Sequence, residues 1–354
     1  MHCASEIFEG IFRHENTSLA HIDELNFYRI LRYVALLHDI GHIAFSHALE
    51  DSILSPFKHE DVSQYIIRHD PGISEILEEY TELVASLLSK NYKEKYAILH
   101  EIISGQLDAD RADYLLRDSY LCGVKYGEYD FERYKQSFAA IEDGHLKLCI
   151  KERDIFVMEA FLLARYHYNL QVPFHRTRVG YDIVLTKFFE TIKDEEKDIQ
   201  NLVQKDNQEL KIDLERFELF DDYYIWELIK KYYKKGNRWA SMLLRQDHLI
   251  PLFDSNSYAN RAEEMLKKLK ETLLNEGFSE NEEFFVYKKQ VELTKISKEK
   301  ENNILVLLDE TKQKIEIDEY SDTIASLKKP LTIYRLYIIP QIKQEAKKIK
   351  EKLF

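Results

Sequence analysis

Three histidines and an aspartate crowd an otherwise apolar stretch, Leu36-Leu37-His38-Asp39-Ile40-Gly41-His42-Ile43-Ala44-Phe45-Ser46-His47. Burying such groups is expensive unless something pairs with them, and a metal ion does so. His38 offers an imidazole nitrogen and Asp39 a carboxylate oxygen. That mixed set suits a borderline divalent metal such as Fe, Mn, Ni, Co or Zn. Gly41 would let another backbone or a ligand come close. A His-Asp pair also arises by chance, and the chain carries its own control at His69-Asp70. That pair stands before Pro71 in polar company and reads as surface.

Two residues do not fill a coordination sphere. The best source of a distant third ligand is Gln106-Leu107-Asp108-Ala109-Asp110-Arg111-Ala112-Asp113-Tyr114-Leu115-Leu116-Arg117-Asp118. Asp110, Tyr114 and Arg117 or Asp118 recur at helical spacing. They could present a carboxylate, a phenol and a second charge to one cavity. The same pattern equally suits a salt-bridged surface helix.

These groups need elements to hold them. Phe27, Ile30, Val34, Leu37, Gly41 and Ala44 recur at the helical period and predict one helix from Phe27 to Phe45, with His42 one turn beyond His38. Further helices are expected over Glu60–His69, Ser74–Leu88, Glu94–Ile103 and Ala109–Asp118. Another runs from Phe156 to Thr191, kinked or divided at Pro173. A brief strand is expected at Leu146–Lys151. Residues 193–211 read as an exposed charged link. Helices follow at Asp221–Lys234, Arg238–Arg245 and Ala259–Glu276. Then come β-like runs at Phe284–Leu293, Ile304–Leu308, Lys314–Ile317 and Leu331–Ile339, a charged loop at Lys295–Lys300, and a Lys-rich final helix, Gln341–Phe354.

Ten glycines and six prolines in 354 residues are few breakers, which favours long helices over turn-rich β designs. The class is therefore mainly α: a helical core over 1–190, a helical extension over 191–255 and a smaller α+β C-terminal lobe over 256–354. The longest purely apolar run, Ile304–Leu308, is far short of the roughly 20 residues a membrane span needs. The first residues, with Glu6, Glu9, His14 and Glu15, are not a secretory signal. Three scattered cysteines, Cys3, Cys122 and Cys149, argue for a reducing cytoplasm and against a disulfide framework. A net charge of −13 argues against non-specific nucleic-acid binding, while leaving room for a small anionic substrate.

The ordered pair H-D-I-G-H-x-x-F-S-H and D-A-D-R-x-D-Y-L-x-R-D resembles the HD-domain phosphohydrolases. Within them it is most similar to the deoxynucleoside triphosphate triphosphohydrolases, which include bacterial dNTPases and the enzyme that joins a SAM domain to an HD domain. The resemblance extends through Ala164–His175 and Leu331–Ala346. It implies an HD-domain helical core and a divalent metal ion (Fe, Mn, Ni, Co, Zn or Mg) held by His38, Asp39 and Asp110. It places His42, His47 and the His59-Glu60 pair around the scissile phosphate, with His47 or His59 as proton donor and Glu60 fixing the His59 tautomer. Arg111 matches a phosphate contact, Tyr114 an aromatic on the deoxyribose, and Asp118 a carboxylate near the sugar hydroxyl. Arg165 is a looser match to a substrate-facing position. The implied substrate is a dNTP, the products a deoxynucleoside and triphosphate, and the implied state a homo-oligomer.

The family's site begins with a further histidine in R-x-x-H-S, about 40 residues before the H-D pair. This chain has none. Its opening, Met1 to Phe8, resembles the sequence that follows that motif, so the chain is expected to start inside the domain. His2 is out of register for that ligand, and His14 reads as helix surface. Two alternatives follow: a catalytically impaired or truncated chain serving as a binding or regulatory subunit, or a phosphodiesterase for another nucleotide, whose G-Y-P signature is absent.

Overall fold

The structure, a computed structural model, describes residues 1–12, 23–89, 91–206, 209–257, 260–291, 304–311 and 313–354. His14 and the expected loop Lys295–Lys300 lie outside the described residues. The architecture is mainly helical with a smaller sheet-bearing C-terminal region, as the sequence predicts.

Two apolar cores organise it. The first gathers Ile7, Phe8, Ile30, Leu31, Val34, Ile98, Ile102, Leu115 and Phe161 from helices His2–Phe12, Glu24–Leu37, Ala97–Ser104, Ala109–Cys122 and Ile155–Gln171. The second gathers Val184, Phe188, Ile225, Ile229, Ala240, Leu269 and Leu336 from Arg176–Ile192, Asp222–Lys234, Arg238–Arg245, Asn260–Asn275 and the C-terminal sheet. The His-rich segment lies at their seam: Val34 packs into the first core, while Ile43, Ala44 and Leu49 pack into the second.

That segment departs from expectation. The helix starts at Glu24, capped by Asp23 accepting from the Asn26 amide, but ends at Leu37 rather than Phe45. His38–Ser46 forms successive turns instead. The cause is a crossing helix, His59–His69. The Ser63 hydroxyl donates to the His38 carbonyl at 2.8 Å and accepts from the Gly41 amide at 2.9 Å, taking groups a continuing helix would pair. A Cβ on Gly41 would meet the His59 carbonyl at 2.2 Å, so only glycine permits this crossing. Phe45 and Ser46 then take positive φ values of 56° and 45° before a new helix, His47–Ile53. Turns of three to four residues kept the apolar spacing that sequence alone reads as helix.

Other differences have local causes. The expected helix Ser74–Leu88 breaks at Glu78, with φ 52°, into Pro71–Leu77 and Thr81–Leu88. Asp70 caps the first of these and His69 is exposed, so this His-Asp pair is surface, as read. Pro173 divides the long helix into Ile155–Gln171 and Arg176–Ile192. The segment read as an exposed link folds as helix Lys197–Leu202 and the strands Val203–Asp206 and Glu209–Ile212. Ile199, Leu202 and Ile212 are buried there, three apolar anchors in a charged sequence. Strand His145–Lys151 gains an unexpected antiparallel partner, Phe138–Asp143. Leu305–Leu307 pairs with it in parallel, on its other side. In the C-terminal sheet, Leu331–Ile338 is central, flanked by Phe284–Val291 and by Ile250–Ser257, which the sequence did not show as a strand. Among the described residues no helix is long and apolar enough to cross a membrane.

Candidate active site

Three elements converge at the seam: the turn His38–Ser46 with the helix it feeds, the start of helix His59–His69, and the first turns of helix Ala109–Cys122. His38, at the end of its helix, points Nε2 to within 3.4 Å of Asp39 Oδ2 and 3.5 Å of Asp110 Oδ1. Asp110 is brought there by the cap of its own helix, where Asp108 accepts from the Arg111 amide at 2.7 Å.

Neither ring nitrogen of His38 has a hydrogen-bond partner, although both are buried. Leaving them so is costly. The spacing supplies a reason. Donor atoms each about 2.1 Å from one tetrahedral cation stand about 3.4 Å apart, whereas an N–H···O bond is near 2.9 Å. The three ligand atoms of His38, Asp39 and Asp110 all lie within 4.8 Å of one another. Orphaned nitrogens, two carboxylates and this spacing fit a divalent metal. Burial alone would push the His38 pKa down, but Asp110 and Asp39 outweigh it and raise it. The same negative field that favours a proton favours a cation.

Beside this group stand three imidazoles. His42 and His59 stack with centroids 3.9 Å apart, and His47 meets their edges at 5.0 and 5.4 Å. Asp39 Oδ1 lies 3.7 Å from His42 Nε2 and 4.0 Å from His59 Nε2, linking the two clusters. Burial first, then the neighbouring His59, pushes the His42 pKa down.

Sequence reasoning missed Glu50. Its carboxylate, 5% exposed, lies 2.7 Å from His47 Nδ1 and 3.2 Å from His59 Nδ1, and it also accepts from the His59 amide at 3.3 Å. Burial would raise this carboxyl, but the hydrogen bonds from His47 and His59 hold it at about 2. An ionised carboxylate only accepts, so both Nδ1 atoms must donate to it and both Nε2 atoms are left for chemistry. Glu60, expected to orient His59, is 52% exposed and 3.4 Å from Nδ1. The available signal was the spacing: Glu50 sits three residues after His47 on one helix face.

The substrate-side expectations fall on helices Ala109–Cys122 and Ile155–Gln171. Arg111 donates to the Gly105 carbonyl at 2.8 Å and pairs with the buried Asp108. Burial first, and the nearby Arg165 cation second, lower its pKa to about 10, so it stays charged near neutrality. Arg165 is 4% exposed, its Nε has no partner, and burial lowers its pKa as well. Tyr114 packs its ring 5.6 Å from Tyr168, whose hydroxyl donates to Asp118. A buried Arg165 with a spare donor and a half-buried Arg111, beside a phenol and a carboxylate, can grip an anion and a hydroxylated ring. On the other side, past His42, a groove of about 550 Å³ runs between Ile40, Ile43, Phe217 and Tyr223, rimmed by Asp221 and Asp222.

Residues 12–118 match the HD domain model. YwfO of Bacillus subtilis is 37% identical over 163 residues, covering 45% of this chain and 36% of that protein. A protein named deoxynucleoside triphosphate triphosphohydrolase SAMHD1 homolog, from Dictyostelium discoideum, is 27% identical over 173 residues, covering 46% of this chain and 33% of its own length. The chain thus spans about a third of the length of these two relatives. A crystal structure of a hypothetical protein from Aquifex aeolicus superposes with TM-score 0.74 at 26% identity, over 98% of this chain and 84% of the other. A Bacteroides thetaiotaomicron structure titled phosphohydrolase shares the fold with TM-score 0.70 at 22% identity, over 95% and 84%. With the motifs and the fold in agreement, residues 12–118 of the chain are an HD domain.

Proposed function

We propose that the chain is a metal-dependent phosphohydrolase that cleaves deoxynucleoside triphosphates to deoxynucleoside and triphosphate. The observation that carries the reading is the orphaned His38 ring facing Asp39 and Asp110 at metal-ligand spacing. His38, Asp39 and Asp110 would hold a divalent ion, which when bound supplies positive charge against a phosphate and lowers the pKa of water. The remaining roles fall to the chain's own groups. Arg111 and Arg165 bind the phosphates, with Tyr114 and Asp118 taking the sugar. A water oxygen forms a bond to the α-phosphorus while the bond from that phosphorus to the 5′ oxygen breaks. The departing 5′ oxygen takes a proton from Nε2 of His47 or His59, whose Nδ1 atoms are fixed by Glu50. His42 stacks on His59 and limits its rotation, and Glu60 borders the same ring.

The relative from Dictyostelium discoideum bears a name in keeping with this substrate. Self-association and a cytoplasmic setting belong to the same reading. Exposed Tyr120, Leu121 and Phe156 offer apolar surface for contact between copies.

The test is metal analysis of the purified chain with product identification on each dNTP. About one divalent transition metal per chain and release of intact triphosphate are expected. His38→Ala and Asp110→Ala should each lose the metal and at least about 1000-fold in turnover. Turnover unchanged in either variant removes the ligand assignment. Cleavage of other phosphate esters with dNTPs untouched removes the substrate.

A further inference from the structure

The turn that delivers His47 is held from outside the HD domain. The Phe45 amide donates to Asp222 Oδ1 at 2.7 Å across 177 residues of sequence, and the Phe45 ring meets Trp226 edge-on at 6.0 Å. Both partners sit on helix Asp222–Lys234, which Asp221 caps and which is anchored in the second core through Ile225 and Ile229. Phe45 and Ser46 are successive non-glycine residues with positive φ. Such conformations are unfavourable and persist only where neighbours impose them. The Ser46 side chain makes no cap bond to the helix that begins at His47; that helix holds the turn only through its backbone, the Ala48 and Glu50 amides bonding the Phe45 and Ser46 carbonyls at 3.1 and 3.2 Å.

We infer that Asp222 is a positioning residue for His47, fixing the Phe45–Ser46 turn and so the approach of the His47 ring to the scissile group. The inference rests on the proposed role of His47. Asp222 also rims the groove beside His42, which gives it a competing role as a direct ligand contact. The two roles separate kinetically. A positioning residue acts in the transition state and lowers kcat with KM held, whereas a ground-state contact raises KM alone. Asparagine keeps an oxygen at the same place and should restore the bond; alanine removes it.

The experiment compares wild type, Asp222→Ala and Asp222→Asn as full-length, metal-loaded chains. Asp222 is exposed at the start of its helix, so both variants should fold. Asp222→Ala should lower kcat about tenfold with KM and bound metal unchanged, and Asp222→Asn should stay within about twofold of wild type. Hydrogen exchange gives a readout independent of turnover: the peptide carrying residues 41–47 should exchange about tenfold faster in Asp222→Ala alone. Unchanged exchange there, or a rise in KM with kcat held, overturns the inference. If no dNTP is cleaved by wild type but exchange responds as expected, the dNTP reading fails while the strap on the turn stands.

Discussion

Glu50 is the residue on which the histidine cluster hangs, because one buried carboxylate dictates two tautomers. Glu50→Gln should lower turnover about 100-fold, the scale of misplacing a general acid, while the His38 group keeps its metal. Its effect on stability has a defined pH window. The folded carboxyl titrates at about 2 against an ordinary 4.5. A depressed folded value means the contribution is complete above about pH 4.5 and is lost as pH falls toward 2. The gap in urea midpoint between wild type and Glu50→Gln, open near neutrality, should therefore close across that window. A gap that stays constant through it sinks the assignment.

At the level of elements, the decisive crossing is that of the helix from His59 over the backbone at Gly41. Ser63 joins the two by bonding the His38 carbonyl and the Gly41 amide. A methyl group there has no room, being 2.2 Å from the His59 carbonyl and 2.4 Å from the Ser63 amide. Gly41→Ala should cost roughly 1–3 kcal/mol and separate His38 from His59, with loss of activity beyond the loss of stability. Thermal melting and turnover together check this. A variant as stable and as active as wild type would show that the crossing is adaptable.

Across the whole molecule, the C-terminal sheet reaches back to the connection that divides the long helix. Arg335, 3% exposed on the central strand, donates to Asp254 at 2.6 Å and to the Phe174 carbonyl at 2.7 Å. Phe174 lies in the connection between the two halves of the divided helix, and the Tyr337 hydroxyl bonds the Arg176 carbonyl beside it. Asp254 is exposed and can be solvated when Arg335 is removed, so the cost lies in the lost hydrogen bonds and in the Phe174 carbonyl left without this donor. Arg335→Met should cost about 2 kcal/mol in denaturant unfolding. A loss under about 1 kcal/mol would show that the sheet does not brace that connection.

What the residues determined by themselves was chemistry and class. His38-Asp39 in apolar company pointed to a candidate metal site, since burial makes such groups costly without a partner, and the acid-rich helix at Asp110 offered a third ligand while equally suiting a surface helix; a phosphate entered only through the resemblance to HD-domain phosphohydrolases. Few breakers and a helical period announced a mainly α chain, and Pro173 its division. Where the first helix stopped was not legible, because tight turns reproduce helical apolar spacing and the cause, Ser63 and the His59 carbonyl, lies on another element. Glu50 showed only its spacing from His47; its second partner was hidden for the same reason, since the pairing with His59 spans nine residues and a change of direction. The strand Ile250–Ser257 and the packed segment after Lys193 were hidden by polar residues whose few apolar anchors acquire meaning only against a partner surface. Local pattern can select a residue's chemistry, but which atoms stand within 4 Å of one another is decided by long-range packing.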